Sequence, residues 1–197
     1  MKEFKNTSWP FKIDQTHTYA FWEKAFSVEE CEVIKNIAKG KGLIKGTTFK
    51  QDPNKDSDVR DSEVCWLSHS DNLEFAFRKM TDMVTSLNNQ YFQFDLFGFI
   101  EGLQFTNYKA PGGKYGKHVD KGYSTLIRKL SVSIQLDDPS NYEGGELFLY
   151  DSEVGIPMKK EQGTLVAFPS YTLHEVMPVT KGERNSLVAW ITGPNFK

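Results

Sequence analysis

The constraint that bears hardest on this chain is a change of hydrophobic period near its middle. From about residue 95 onward the apolar positions recur every second residue. Leu130-Ser131-Val132-Ser133-Ile134-Gln135-Leu136 alternates without a fault. Wound as a helix, that segment would scatter its leucine, valine and isoleucine around the whole circumference. Extended, it gathers them on one face. The pattern predicts a half-buried strand over 130–136. Residues 146–150 follow a Gly144-Gly145 turn, residues 164–168 end at Pro169, and residues 187–191 end at Gly193-Pro194. Short strands at regular spacing, punctuated by glycine and proline, predict an antiparallel sandwich or barrel. A 14% share of aromatic residues suits such packed sheets.

The first half carries the helical period instead. Ser27-Val28-Glu29-Glu30 has the pattern of a capping box, and Cys31, Ile34 and Ala38 follow at helical spacing, with Gly40 as a stop. A second helix is expected to begin near Asp71. Its stripe of Leu73, Phe77, Met80, Val84, Leu87 and Tyr91 reads as a core-facing surface. The aromatic first 26 residues, including Trp9, Phe11, Tyr19, Phe21, Trp22 and Phe26, are expected to pack across the domain. Residues 50–63 are dense in charge and read as a solvated loop, or as a lid beside a pocket. No linker or repeat divides the 197 residues. The expectation is one domain, 1–197, of α+β, mainly β class, with helical support over roughly 1–95 and a β core over roughly 96–197.

Several function classes are disfavoured. No apolar run is long enough to span a membrane, and residues 1–6 lack the apolar stretch of a signal peptide. Two cysteines, Cys31 and Cys65, make no disulfide framework and point to a reducing, cytoplasmic setting. A net charge of −2 offers no general attraction to nucleic acid. No phosphate loop, dinucleotide fingerprint or nucleophile elbow is found.

Of the four histidines, His17 and His69 have unremarkable neighbours. His118-Val119-Asp120 is different. In extended chain, residues i and i+2 project to the same side, so one imidazole and one carboxylate can reach a single ion. His174 could return to that ion across a rolled sheet. Two imidazoles and a carboxylate form the facial triad that favours non-haem Fe(II) and leaves positions open. The triplet alone is weak evidence, since a single histidine is more often a structural residue. Arg184, ten residues after His174, opens an apolar strand and must point to solvent or into a pocket. Pointing inward, it could hold a carboxylate by two parallel hydrogen bonds. Ser186 would share its side, and Tyr108, ten residues before His118, could add a phenolic donor.

These residues, with Pro111-Gly112-Gly113, Arg128-Lys129-Leu130-Ser131, Tyr142-Glu143-Gly144-Gly145-Glu146-Leu147 and Gly163 through Pro169, resemble the Fe(II)/2-oxoglutarate-dependent dioxygenase superfamily, within it the prolyl 4-hydroxylase-like group. The likeness covers residues 103–190, and residues 59–67 resemble that group's first strand. It implies a double-stranded β-helix, or jelly roll, backed by N-terminal helices. It implies that His118, Asp120 and His174 bind Fe(II), that Arg184 pairs the distal carboxylate of 2-oxoglutarate with Tyr108 and Ser186 nearby, and that Trp190 lies near the iron. It implies O2 as co-substrate, ascorbate as an accessory reductant, and hydroxylation of a prolyl residue in a peptide or protein. The alternatives are the same chemistry on a nucleic-acid base or small molecule, or a non-catalytic binding module. The chain departs from collagen-type members, which carry lysine at the Arg184 position. At that group's alternate site for a co-substrate hydroxyl, on the 130–136 strand, it has Ser133 and Gln135 rather than tyrosine.

Overall fold

The computed structural model describes residues 2–3, 12–13, 17–48, 59–121 and 127–195. Trp9, Phe11 and residues 50–58 of the charged segment lie outside the described residues.

The first helix spans Val28–Lys41. Its N-terminus is the expected capping box: Glu30 N donates to Ser27 Oγ at 3.2 Å, and Ser27 N donates to Glu30 Oε2 at 2.8 Å. Each bond satisfies an amide that the helix itself cannot pair. The helix runs through Gly40 and stops at Gly42, whose φ of 95° suits glycine. Ser27→Ala should cost about 1 kcal/mol, seen as a drop of roughly 2–4 °C in Tm by differential scanning calorimetry.

The second helix spans Glu74–Leu87, three residues later than its sequence signal. The cap-like residues at Ser68 and Asp71 instead close a short 3-10 turn, His69–Asp71. Its apolar stripe is buried as expected, from Leu73 through Leu87, and Tyr91 packs against the same core from the following turn.

The remainder is a double-stranded β-helix. Seven antiparallel strands form the larger sheet, in the order Ala20–Trp22, Leu165–Pro169, Arg128–Gln135, Glu183–Thr192, Leu103–Lys109, Glu63–Leu67 and Ile44–Lys45. Five form the smaller sheet: Ile156–Pro157, Leu147–Tyr150, Leu173–Val176, Lys114–His118 and Arg60–Asp61. Both helices contribute to one core with one face of the larger sheet, through Leu130, Val132, Ile134, Leu165, Leu187 and Ala189. A smaller apolar cluster that includes Leu147, Leu149, Phe168 and Val176 lies between the sheets. Each such buried aliphatic residue contributes about 1.5–3 kcal/mol.

The Arg128–Gln135 strand corrects the expectation of a half-buried strand. Its residues from Lys129 to Gln135 are all buried. The apolar set meets the helices, while Ser131, Ser133 and Gln135 face the other way, toward the space between the sheets. The alternation therefore separates a dry core from a polar interior, not a core from solvent. Among the described residues no helix is long and apolar enough to cross a membrane.

Candidate active site

Antiparallel register brings the two histidines together. His174, on Leu173–Val176, is the direct Cα partner of His118 at the end of Lys114–His118. Their ring centroids lie 4.1 Å apart. Asp120 sits two residues beyond His118, where the chain is tied down by Lys121 N donating to Ser170 O at 2.8 Å. His118 Nε2 is 3.7 Å from Asp120 Oδ1, and His174 Nε2 is 3.5 Å from Asp120 Oδ2. One ligand atom from each of the three lies within 4.8 Å of the others.

The backbone sets the histidine tautomers. His118 Nδ1 is 2.8 Å from Gly116 O, and His174 Nδ1 is 2.9 Å from Thr172 O. A carbonyl can only accept, so each Nδ1 carries the proton and each Nε2 presents its lone pair to the shared space. Burial, followed by the neighbouring His174, lowers the pKa of His118 to about 4, which keeps that ring neutral. Burial alone would raise the Asp120 carboxyl. The His174 and His118 rings, the Ser131 hydroxyl and the Trp190 indole N–H outweigh it and hold Asp120 below the usual carboxylate range. Ser131 Oγ donates to Asp120 Oδ2 at 2.6 Å and lies 3.0 Å from Ser170 Oγ. This donor set suits a divalent cation: two imidazoles whose Nε2 atoms face the shared space and one carboxylate, each braced from behind.

A cavity of about 290 Å³ opens beside these residues. Arg184, Ser186, Val188 and Trp190, alternate residues of Glu183–Thr192, all line it. Arg184 therefore points inward and is 2% exposed. Its Nη2 donates to Gln135 Oε1 at 2.9 Å, and its Nη1 has no hydrogen-bond partner among the described residues. An unpaired buried N–H is costly, so a guanidinium aimed into a cavity with one side free is built to meet an anion. Tyr108 is the register partner of Arg184 on the adjoining strand, and its ring centroid is 5.5 Å from the guanidinium carbon. Ser186 is 1% exposed on the same wall.

Several residues to which the sequence reading assigned no role in the site also form its walls. Arg128 lies 3.9 Å over the Trp190 ring and is held by Glu101 through Nε at 2.7 Å and Nη2 at 2.5 Å. Arg60 donates to Ser62 Oγ, Thr47 O and Gln104 Oε1 and covers the Tyr115 ring, which in turn stacks on His118. The available signal was the polar half of the period-two runs: Ser131, Ser133 and Gln135 stand at alternate positions, as do Gln104, Thr106 and Tyr108. His17 and His69 stand apart from this site, each against an aromatic ring.

Residues 103–192 match the family model of the 2OG-Fe(II) oxygenase superfamily. This segment, less than half of the chain, resembles the 2OG-Fe(II) oxygenases. A PKHD-type hydroxylase of Picosynechococcus is 39% identical to this chain over 93 residues, 47% of this chain and 42% of the relative. One from Parvibaculum lavamentivorans is 43% identical over 83 residues, covering 42% and 38%. The match thus spans less than half the length of these curated relatives. Among solved structures, a Pseudomonas putida prolyl-4-hydroxylase superposes with a TM-score of 0.72 at 20% identity, covering 91% of this chain and 95% of that one. A viral collagen prolyl hydroxylase from Paramecium Bursaria Chlorella virus-1, in its 2OG complex, gives 0.69 at 24% identity, covering 91% and 97%. At these identities the structural matches speak for the oxygenase fold.

Proposed function

We propose that this chain is an Fe(II)- and 2-oxoglutarate-dependent dioxygenase that hydroxylates a C–H bond of a prolyl residue in a peptide or protein. One observation carries the reading: the His118, Asp120 and His174 ligand atoms face one point, and the unpaired N–H of Arg184 opens into the cavity beside it. The prolyl side chain as target is supported by the names of the curated and structural relatives. Two free, buried thiols, Cys31 and Cys65, suit a reducing compartment such as the cytoplasm.

In this reading His118, Asp120 and His174 hold the metal from one side. With iron bound there, 2-oxoglutarate and O2 yield succinate and CO2 while one oxygen atom enters the substrate C–H bond. The protein needs no nucleophile or general base for this. Its own part is to hold and orient. Ser131 fixes one oxygen of Asp120, and the Gly116 and Thr172 carbonyls fix the two rings. Arg184 neutralises the far carboxylate of the keto acid, which would otherwise be buried at a cost of several kcal/mol. Tyr108 and Ser186 shape the recess on its two sides. Trp190, braced by Arg128, narrows the space beside the metal and excludes water.

The test is direct. Anaerobic protein given Fe(II) and 2-oxoglutarate should develop a weak visible charge-transfer band. On admitting O2, with ascorbate as accessory reductant, a panel of proline-containing peptides should yield +16 Da products, with succinate formed in parallel. No band, and no succinate with any peptide, would refute the assignment.

A further inference from the structure

Two buried polar atoms, Arg184 Nη1 and the Tyr142 hydroxyl, lack a hydrogen-bond partner within distance and angle limits among the described residues, and the Arg184 charge acts on the Tyr142 phenol. Tyr142 is 4% exposed and belongs to the turn that leads into the Leu147–Tyr150 strand. The two side chains meet over Gly145. A Cβ on that residue would lie 3.0 Å from Arg184 Cδ and 3.5 Å from Tyr142 Cε2. Gly145 has a φ of 66°, so it both makes the turn and leaves room for the pair. Lys160 Nζ covers the Tyr142 ring at 4.5 Å and is anchored to Gly144 O and Glu146 Oε1. The ring is thus clamped on two sides. Burial raises the phenol pKa, so the hydroxyl stays protonated and neutral beside the guanidinium.

The packing explains the ring but not the hydroxyl. A phenylalanine would fill the same space without leaving a buried polar atom unpaired, which costs about 1–3 kcal/mol. Among the described residues, the charge that acts most strongly on the hydroxyl is Arg184, whose own Nη1 is unpaired. Arg184 lines the cavity, and the buried Tyr142 meets it over Gly145. On the other flank, Gln135 already accepts from Nη2. An arginine fork selects a carboxylate only when its plane is fixed, and one neutral acceptor leaves that plane free to turn.

We propose that Tyr142 is a positioning residue for the co-substrate. Its hydroxyl accepts one Nη1 hydrogen of Arg184 as the distal carboxylate takes another, so that Gln135 and Tyr142 together hold the guanidinium in plane. This rests on the 2-oxoglutarate reading of Arg184. It gives the chain a second support for that group from outside the strand that carries Ser133 and Gln135.

Tyr142→Phe tests it, since the variant keeps the ring, its packing and the lysine contact. With Mn(II) in place of iron, titration calorimetry should show 2-oxoglutarate binding about 5- to 10-fold weaker than in the parent protein. In turnover with iron, KM for 2-oxoglutarate should rise by the same factor. The kcat at saturating 2-oxoglutarate and the KM for peptide should hold within twofold. Binding of 2-oxoglutarate within twofold of the parent would overturn the proposal, as would an equal fall in kcat at saturation. Arg184→Gln, run alongside, separates the two claims. If it too binds 2-oxoglutarate normally, the co-substrate reading itself fails. If it loses binding while Tyr142→Phe does not, only the role of Tyr142 falls.

Discussion

His174→Ala is expected to abolish turnover and to weaken Fe(II) binding by more than 100-fold. Losing a residue that merely braces a metal ligand already costs roughly 10- to 100-fold, and on the proposed reading this change removes a ligand. His174 is 5% exposed, and its Nε2 faces Asp120 at 3.5 Å. A methyl group there leaves His118 and Asp120 to hold the ion alone. The measurement is anaerobic Fe(II) titration followed by 2-oxoglutarate, read as the visible charge-transfer band, with succinate release as the second readout. Circular dichroism should be unchanged, because the ring contacts mainly other site residues, His118 and Phe168. A variant that still showed the band at parental iron concentrations would remove His174 from the site.

The second large effect is expected at Arg184. Arg184→Gln removes a buried charge that the keto acid's carboxylate would otherwise meet, a loss of about 3 kcal/mol or more. That corresponds to roughly a 100-fold rise in the KM for 2-oxoglutarate, with peptide KM little changed. Arg184→Lys keeps the charge but gives up the planar fork, so its loss should be smaller. Steady-state kinetics with 2-oxoglutarate as the varied substrate decides it. Equal KM values for Arg184→Gln and the parent would leave the cavity without its anion site.

These two side chains were legible to different degrees. His118 and Asp120 could be paired from sequence because two residues apart in an extended chain share a side. His174 could be paired with them only conditionally, since spacing along the chain says nothing about which strands become neighbours. The register of Leu173–Val176 against Lys114–His118 supplied that. For Arg184 the alternation left two orientations open. The outcome turned on a second layer of sheet covering the polar face, which no local pattern announces. The same covering explains why a strand whose alternation predicts half burial has Ser131 and Gln135 buried as well. Arg128 and Glu101 lie 27 residues apart and pair through a contact with no periodic signature.

The helix boundaries tell a similar story at short range. The capping box at Ser27 was readable because both of its bonds lie within three residues. The start near Asp71 was misplaced because the same residue types also close a 3-10 turn.

By itself, then, the amino-acid sequence determined where the chain bends, which segments are helical or extended, and which face of each is apolar, since those follow from interactions between near neighbours. Only the tertiary structure decided that a second sheet would cover the polar faces, that two histidines 56 residues apart would sit in register, and that Tyr142 and Arg184 would meet over Gly145. The physical reason is that such contacts are chosen by the packing of whole sheets, in which the burial of many apolar side chains together outweighs any single local preference.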